Sequence, residues 1–104
     1  MSPSKKLSSE QIKAALDELP HWTRDGETLT REYTFATYPD AISFVTRLAF
    51  AAEANDHHPD LVVNYKRVKV TWSTHSEGGV TEKDAAGARQ SDVIAASGFR
   101  AEAS

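Results

Sequence analysis

The chain has 104 residues, 39% apolar and 26% charged, with a formal net charge of −3 and no cysteine. This size and balance describe one soluble folded domain over 1–104, and the charge argues against a nucleic-acid binder held by phosphate contacts. The lack of cysteine excludes disulfides, thiolate metal sites and thiol nucleophiles, and no run approaches the ~18 apolar residues of a membrane span.

Residues 1–6 are polar and read as a frayed end, as do residues 100–104. They carry no secretory pattern, so the expected location is the cytoplasm. Ser8-x-x-Gln11 reads as a capping box, with Leu7 and Ile12 placed as a hydrophobic staple. Ile12, Ala15, Leu16 and Leu19 follow at helical spacing until Pro20 stops the helix. His21 reads as ordinary loop between Pro20 and Trp22. Asp25-Gly26 predicts a two-residue hairpin. The returning strand, roughly residues 28–35, alternates Leu29, Arg31, Tyr33 and Phe35 against a polar face.

Thr37-x-x-Asp40, with Pro39 in the first turn, predicts a second helix running to about residue 54. Its expected core stripe is Ile42, Val45, Leu48, Ala49 and Ala52, with Phe44 and Phe50 on opposite flanks. Two readings of Phe50 stay open: a residue lying under a loop, or part of a subunit interface. Roughly residues 61–64 and 67–74 predict a second strand pair around Tyr65-Lys66, in which Val68, Val70 and Trp72 face inward. Lys66, Arg67 and Lys69 there read as a solvated strand face. Thr81-x-x-Asp84 caps a last helix over about residues 82–97, ended by Gly98, and Gly87 within it either weakens it or permits close packing. The predicted order α-β-β-α-β-β-α implies an α+β fold: a four-stranded antiparallel sheet with helices on one face.

Chemistry concentrates in two stretches, Glu53 to Pro59 and Ser73 to Asp84, which hold three of the four histidines. Three imidazoles and a carboxylate are a sufficient ligand set for zinc. Adjacent histidines on an extended loop point apart, however, and no His-x-x-x-His or Glu-x-x-His spacing occurs within these two stretches. A metal therefore stands behind acid–base catalysis, since imidazole titrates near neutrality and a positioned one contributes ~10² to 10⁴-fold in rate. Asp84 is placed to orient one of the rings. The plain alternative is that the histidines only cap loop carbonyls. No Gly-x-Ser-x-Gly elbow, phosphate loop or dinucleotide fingerprint is present.

From Leu7 to about Phe99 the chain resembles the pterin-4a-carbinolamine dehydratase family, whose mammalian members double as a dimerisation cofactor for a homeodomain transcription factor. The matching pieces are Glu53-x-x-x-His57-His58-Pro59, Asn64-Tyr65-x-x-Val68-x-Val70, Ser73-Thr74-His75 and Gly79-Val80-Thr81-x-x-Asp84, with Leu19-Pro20-His21-Trp22 ahead of them. Trp72 departs from the pattern, standing where the family often has a smaller apolar residue. The resemblance implies dehydration of 4a-hydroxytetrahydropterin to quinonoid dihydropterin, in support of aromatic amino-acid hydroxylases, with no metal and no bound cofactor. It implies His57, His58 and His75 around the C4a hydroxyl, with His58 the principal acid–base group and Asp84 orienting a histidine. It implies Trp22, Glu53, Asp56, Ser73 and Thr74 as the lining of the pterin site. It also implies a homodimer or homotetramer, no direct nucleic-acid contact and no membrane. Two further readings stay open: a partner-binding dimerisation module, and a relative acting on a molybdopterin-type pterin.

Overall fold

Capping chemistry decides where each helix starts. A computed structural model describes residues 5–97 and begins helix α1 at Ser9–Asp17. Ser8 Oγ accepts from the Gln11 N–H at 3.1 Å, and the Gln11 side chain accepts from the Ser8 N–H at 2.8 Å. Both halves of the expected capping box are therefore made. The last turn of α1 tightens, with the Glu18 and Leu19 N–H groups bonding back to Ala15 and Leu16. The helix thus closes before Pro20 rather than at it. Thr37 caps α2 (Tyr38–Ala54) by accepting from the Asp40 N–H at 3.1 Å. Thr81 caps α3 (Glu82–Ala96) through a second box in which Asp84 is the reciprocal acceptor. The expected stop at Gly98, and the ends at 1–4 and 100–104, lie outside the described residues.

Four antiparallel strands, β1 (Thr23–Asp25), β2 (Thr28–Thr34), β3 (Asp60–Asn64) and β4 (Arg67–Trp72), lie in the order β1-β2-β4-β3. Asp25 pairs with Thr28, so the first hairpin loop is Gly26–Glu27, one residue later than the Asp25-Gly26 expectation. Gly26 supplies the positive φ, at 62°. β4 ends two residues earlier than the predicted strand. Beyond it, Thr74 pairs across to Gly79, closing a loop around a short 3-10 turn, His75–Glu77. Leu29, Arg31 and Tyr33 of β2 stand opposite Trp72, Val70 and Val68 of β4. The apolar members of this face are buried beneath the helices. The other face stays polar, as in the Thr30–Thr71 hydroxyl pair at 3.2 Å. The α+β order and the single helical layer match the sequence expectation.

Helix α2 is rotated from its expected phase. Its buried residues are Ala41, Phe44, Leu48 and Ala52. Phe44 packs between Tyr33 and Phe35, with ring centroids at 4.9 and 5.1 Å. Ile42 and Ala49, expected in the core, lie on the open side, and Phe50 is 74% exposed. On α3, Gly87 does permit close packing: a Cβ there would meet the Trp72 indole at 2.6 Å. The indole N–H donates to Ser91 Oγ at 3.1 Å, so the large side chain at position 72 is matched by small residues on the helix above it.

Candidate active site

The end of α2 aims the adjacent histidines. Asn55 closes the helix and Asp56 turns left-handed, at φ 51°. The Asp56 N–H bonds to the Glu53 carbonyl and the His57 N–H to the Ala52 carbonyl, both at 3.1 Å. These are the two bonds of a Schellman motif, with aspartate in the place glycine usually takes. The reversal throws His57 back toward α3, and Pro59 biases His58 toward extended backbone. His58 instead reaches the last turn of its own helix, where its Nε2 meets Glu53 Oε1 at 2.8 Å.

The second half of the site is built on the cap of α3. Asp84 is fully buried yet accepts three hydrogen bonds. Its Oδ2 takes the Thr81 N–H at 2.9 Å and the Thr74 hydroxyl at 2.8 Å, while its Oδ1 faces His57 Nε2 at 2.6 Å. A carboxylate on Nε2 fixes that nitrogen as the N–H donor, which leaves the Nδ1 lone pair of a neutral ring for other work. Thr74 is 6% exposed and ties the end of β4 to the cap a second time, through Thr81 Oγ1 at 2.8 Å.

These elements surround a hollow of about 300 Å³ lined by Asp56, His57, His58, Ser73, Thr74 and His75, together with Ser76 and Lys83. The structure thus brings the three histidines together with Asp56, Ser73 and Thr74. Ser73 spends its hydroxyl on the Glu27 carbonyl at 2.8 Å. Glu53 reaches the cluster only through His58. Trp22 does not line the hollow. It is 3% exposed, its ring stands edge-on to Tyr33, and its indole N–H donates to Asp92 at 3.0 Å. It packs in the core, where its polar edge has a carboxylate partner. Among the described residues, no three His, Asp or Glu side chains converge as a metal set.

Sequence reasoning passed over two neighbours of the histidines. Lys83, in the first turn of α3, borders the hollow and also a second cavity of about 370 Å³ that shares His57 with it. Trp72 stacks on the His57 ring with centroids 5.3 Å apart and planes 25° apart. The capping spacing Thr81-x-x-Asp84 was a signal for Lys83, since any side chain in that first turn sits near the cap. No local signal pairs residue 72 with residue 57.

A separate polar knot lies under the same helix. Asp92 accepts from Trp22, from Arg31 at 2.7 Å and from the Tyr33 hydroxyl. Burial, reinforced by hydrogen bonding to Asp92, pushes the Tyr33 phenol well above its ordinary range. Arg31 lies over the Tyr33 ring, 4.2 Å from its centroid.

A family model described as "Pterin 4 alpha carbinolamine dehydratase" matches residues 5–94. A protein of Mycobacteroides abscessus named "Putative pterin-4-alpha-carbinolamine dehydratase" is 49% identical over 87 residues, which are 84% of this chain and 93% of that protein. The crystal structure of a transcriptional coactivator/pterin dehydratase from Brucella melitensis superposes with a TM-score of 0.84 at 38% identity, over 86% of this chain and 98% of that one. A pterin dehydratase-like protein, identified as a RuBisCO assembly factor in the alpha-carboxysome, gives a TM-score of 0.63 at 25% identity, over 73% and 90% of the two chains.

Proposed function

The chain belongs to the pterin 4 alpha carbinolamine dehydratase family, and on that premise we propose that it removes water from 4a-hydroxytetrahydropterin to give quinonoid dihydropterin. The reaction breaks the C4a–O bond, with a proton delivered to the departing hydroxyl. A second proton leaves N5 as the C4a–N5 double bond forms. One acid and one base acting at neutral pH therefore suffice, and imidazoles serve as both. What supports the reading is one observation: three imidazoles border a single hollow, two of them held by carboxylates at 2.6 and 2.8 Å.

In this proposal His58 is the principal acid–base group, with Glu53 holding its Nε2. His57, oriented by Asp84, and His75 share the proton traffic and hold the substrate hydroxyl. Asp56, Ser73 and Thr74 border the pterin. No metal takes part, so a chelator leaves the rate unchanged. The test generates the 4a-carbinolamine with a pterin-dependent hydroxylase and follows its decay. Purified protein is expected to speed the decay, and His58→Ala to lower kcat by about 10²-fold or more. A His58→Ala rate equal to wild type defeats the assignment.

A second, compatible reading is partner binding through the open side of α2. Val45, Thr46, Ala49, Phe50 and Glu53 line an apolar hollow there, and Phe50 is its exposed aromatic member. Self-association through this face is the simplest form. It predicts a solution mass of a dimer or tetramer that falls in Phe50→Asp.

A further inference from the structure

His57 is anchored at one point only by its carboxylate. Nε2 lies nearer the Cβ–Cγ axis of an imidazole than Nδ1 does, so a modest turn of the ring about that axis moves Nδ1 further than it moves the nitrogen in the 2.6 Å contact to Asp84. Open space lies beside the ring: the 370 Å³ cavity bordered by His57, Trp72, Gly87 and Gln90. Fixing the direction of Nδ1 therefore takes a second constraint, and Trp72 supplies a flat surface against this ring. The Trp72 indole lies 5.3 Å away, 25° from parallel, within the range of offset aromatic stacking. The indole is itself immobilised, buried to 3% exposure, with its N–H on Ser91 at 3.1 Å and its six-membered ring against the Cα of Gly87.

We infer that Trp72 is a positioning residue: its indole face locks the plane of the His57 ring and so holds Nδ1 toward the substrate hollow. The inference rests on the dehydratase reading, and it deepens that reading by adding a group that acts on the reaction through His57. Ser91 and Gly87 belong to the same device, one fixing the indole edge and the other leaving room for its face.

The test compares Trp72→Leu, Trp72→Phe and Gly87→Ala in the full chain, in the carbinolamine decay assay and by NMR of the His57 ring. Trp72→Leu is expected to lower kcat about three- to tenfold, the factor an aromatic pair's contribution converts to. KM should stay near wild type, since the lost contact is to His57 and not to substrate. Trp72→Phe keeps a flat face and should recover most of the rate. In the wild type, the His57 ring protons are expected upfield under the indole ring current, and Trp72→Leu should move them back. Should Trp72→Leu not fold, Gly87→Ala carries the test, because its Cβ would meet the indole at 2.6 Å and displace it. A wild-type kcat in Trp72→Leu, or Trp72→Phe no better than Trp72→Leu, leaves Trp72 as core packing and overturns the inference. If the wild type itself is inactive, the dehydratase reading falls; the ring shifts then decide the positioning alone, and ordinary shifts in the wild type overturn it.

Discussion

Asp84 and Asp92 sit about two turns apart on α3, and each gathers three donors. Asp84 takes a backbone N–H, a threonine hydroxyl and an imidazole. Asp92 takes an indole, a guanidinium and a phenol. The number of hydrogen bonds does not separate them. What differs is the company. One donor at Asp84 is an imidazole, a ring able to give or take a proton, and it borders an open hollow. The donors at Asp92 are packed among core side chains. In the proposed mechanism the first carboxylate orients a reacting imidazole, while the second ties β2 and the segment before β1 to the helix.

Separating the two roles by mutation gives the sharpest tests. Asp92→Ala leaves the Arg31 guanidinium, with its side chain 9% exposed, without its carboxylate. Stability should fall by about 3 kcal/mol, the low end for a broken buried pair because the Asp92 side chain is 30% exposed. Urea denaturation measures this, and kcat of the folded fraction should remain that of wild type. An unchanged midpoint would mean the knot contributes nothing. Asp84→Asn should lower kcat by about 10²-fold, or about 2.7 kcal/mol of barrier, as His57 loses its carboxylate. An unaltered kcat there removes His57 and Asp84 from the mechanism.

The smallest effect is one of pH. In the unfolded chain the Tyr33 phenol ionises near pH ~10, whereas burial and Asp92 keep it protonated beyond that in the fold. Its contribution is fully present below about pH 10. Above it the unfolded state binds fewer protons, so stability declines with rising pH, by up to about 1.4 kcal/mol per pH unit. Tyr33→Phe removes this part of the alkaline slope while giving up the hydrogen bond to Asp92. Urea midpoints from about pH 9 to about pH 11 would show it, and an identical slope in both proteins would count against the shift.

The phase of α2 shows where a local pattern stops being informative. Two apolar stripes share Leu48 and Ala52, and the alanines between them suit either a core or a surface. One stripe adds Ile42, Val45 and Ala49; the other adds Ala41 and Phe44. The choice is made by the sheet, where the space beside Tyr33 and Phe35 takes an aromatic ring and Phe44 fills it. Trp22 is a similar case. The family resemblance suggested a site residue, and its indole N–H finds its partner seventy positions away, at Asp92. The hairpin loop at Gly26–Glu27 shows a milder version, a one-residue register that only the pairing of Asp25 with Thr28 settles.

Interactions within a few residues of one another were decided by the sequence alone: the boxes at Ser8 and Thr81, the cap at Thr37, the order of elements and the clustering of imidazoles near two element ends. Each of these depends on spacing along one turn or one strand, where geometry follows from the backbone. The tertiary structure decided which histidine faces which carboxylate, that Trp72 lies on His57, and which side of α2 is covered. Those depend on contacts between segments that the chain itself does not hold together, and the shape of the shared core selects among partners that local chemistry treats alike.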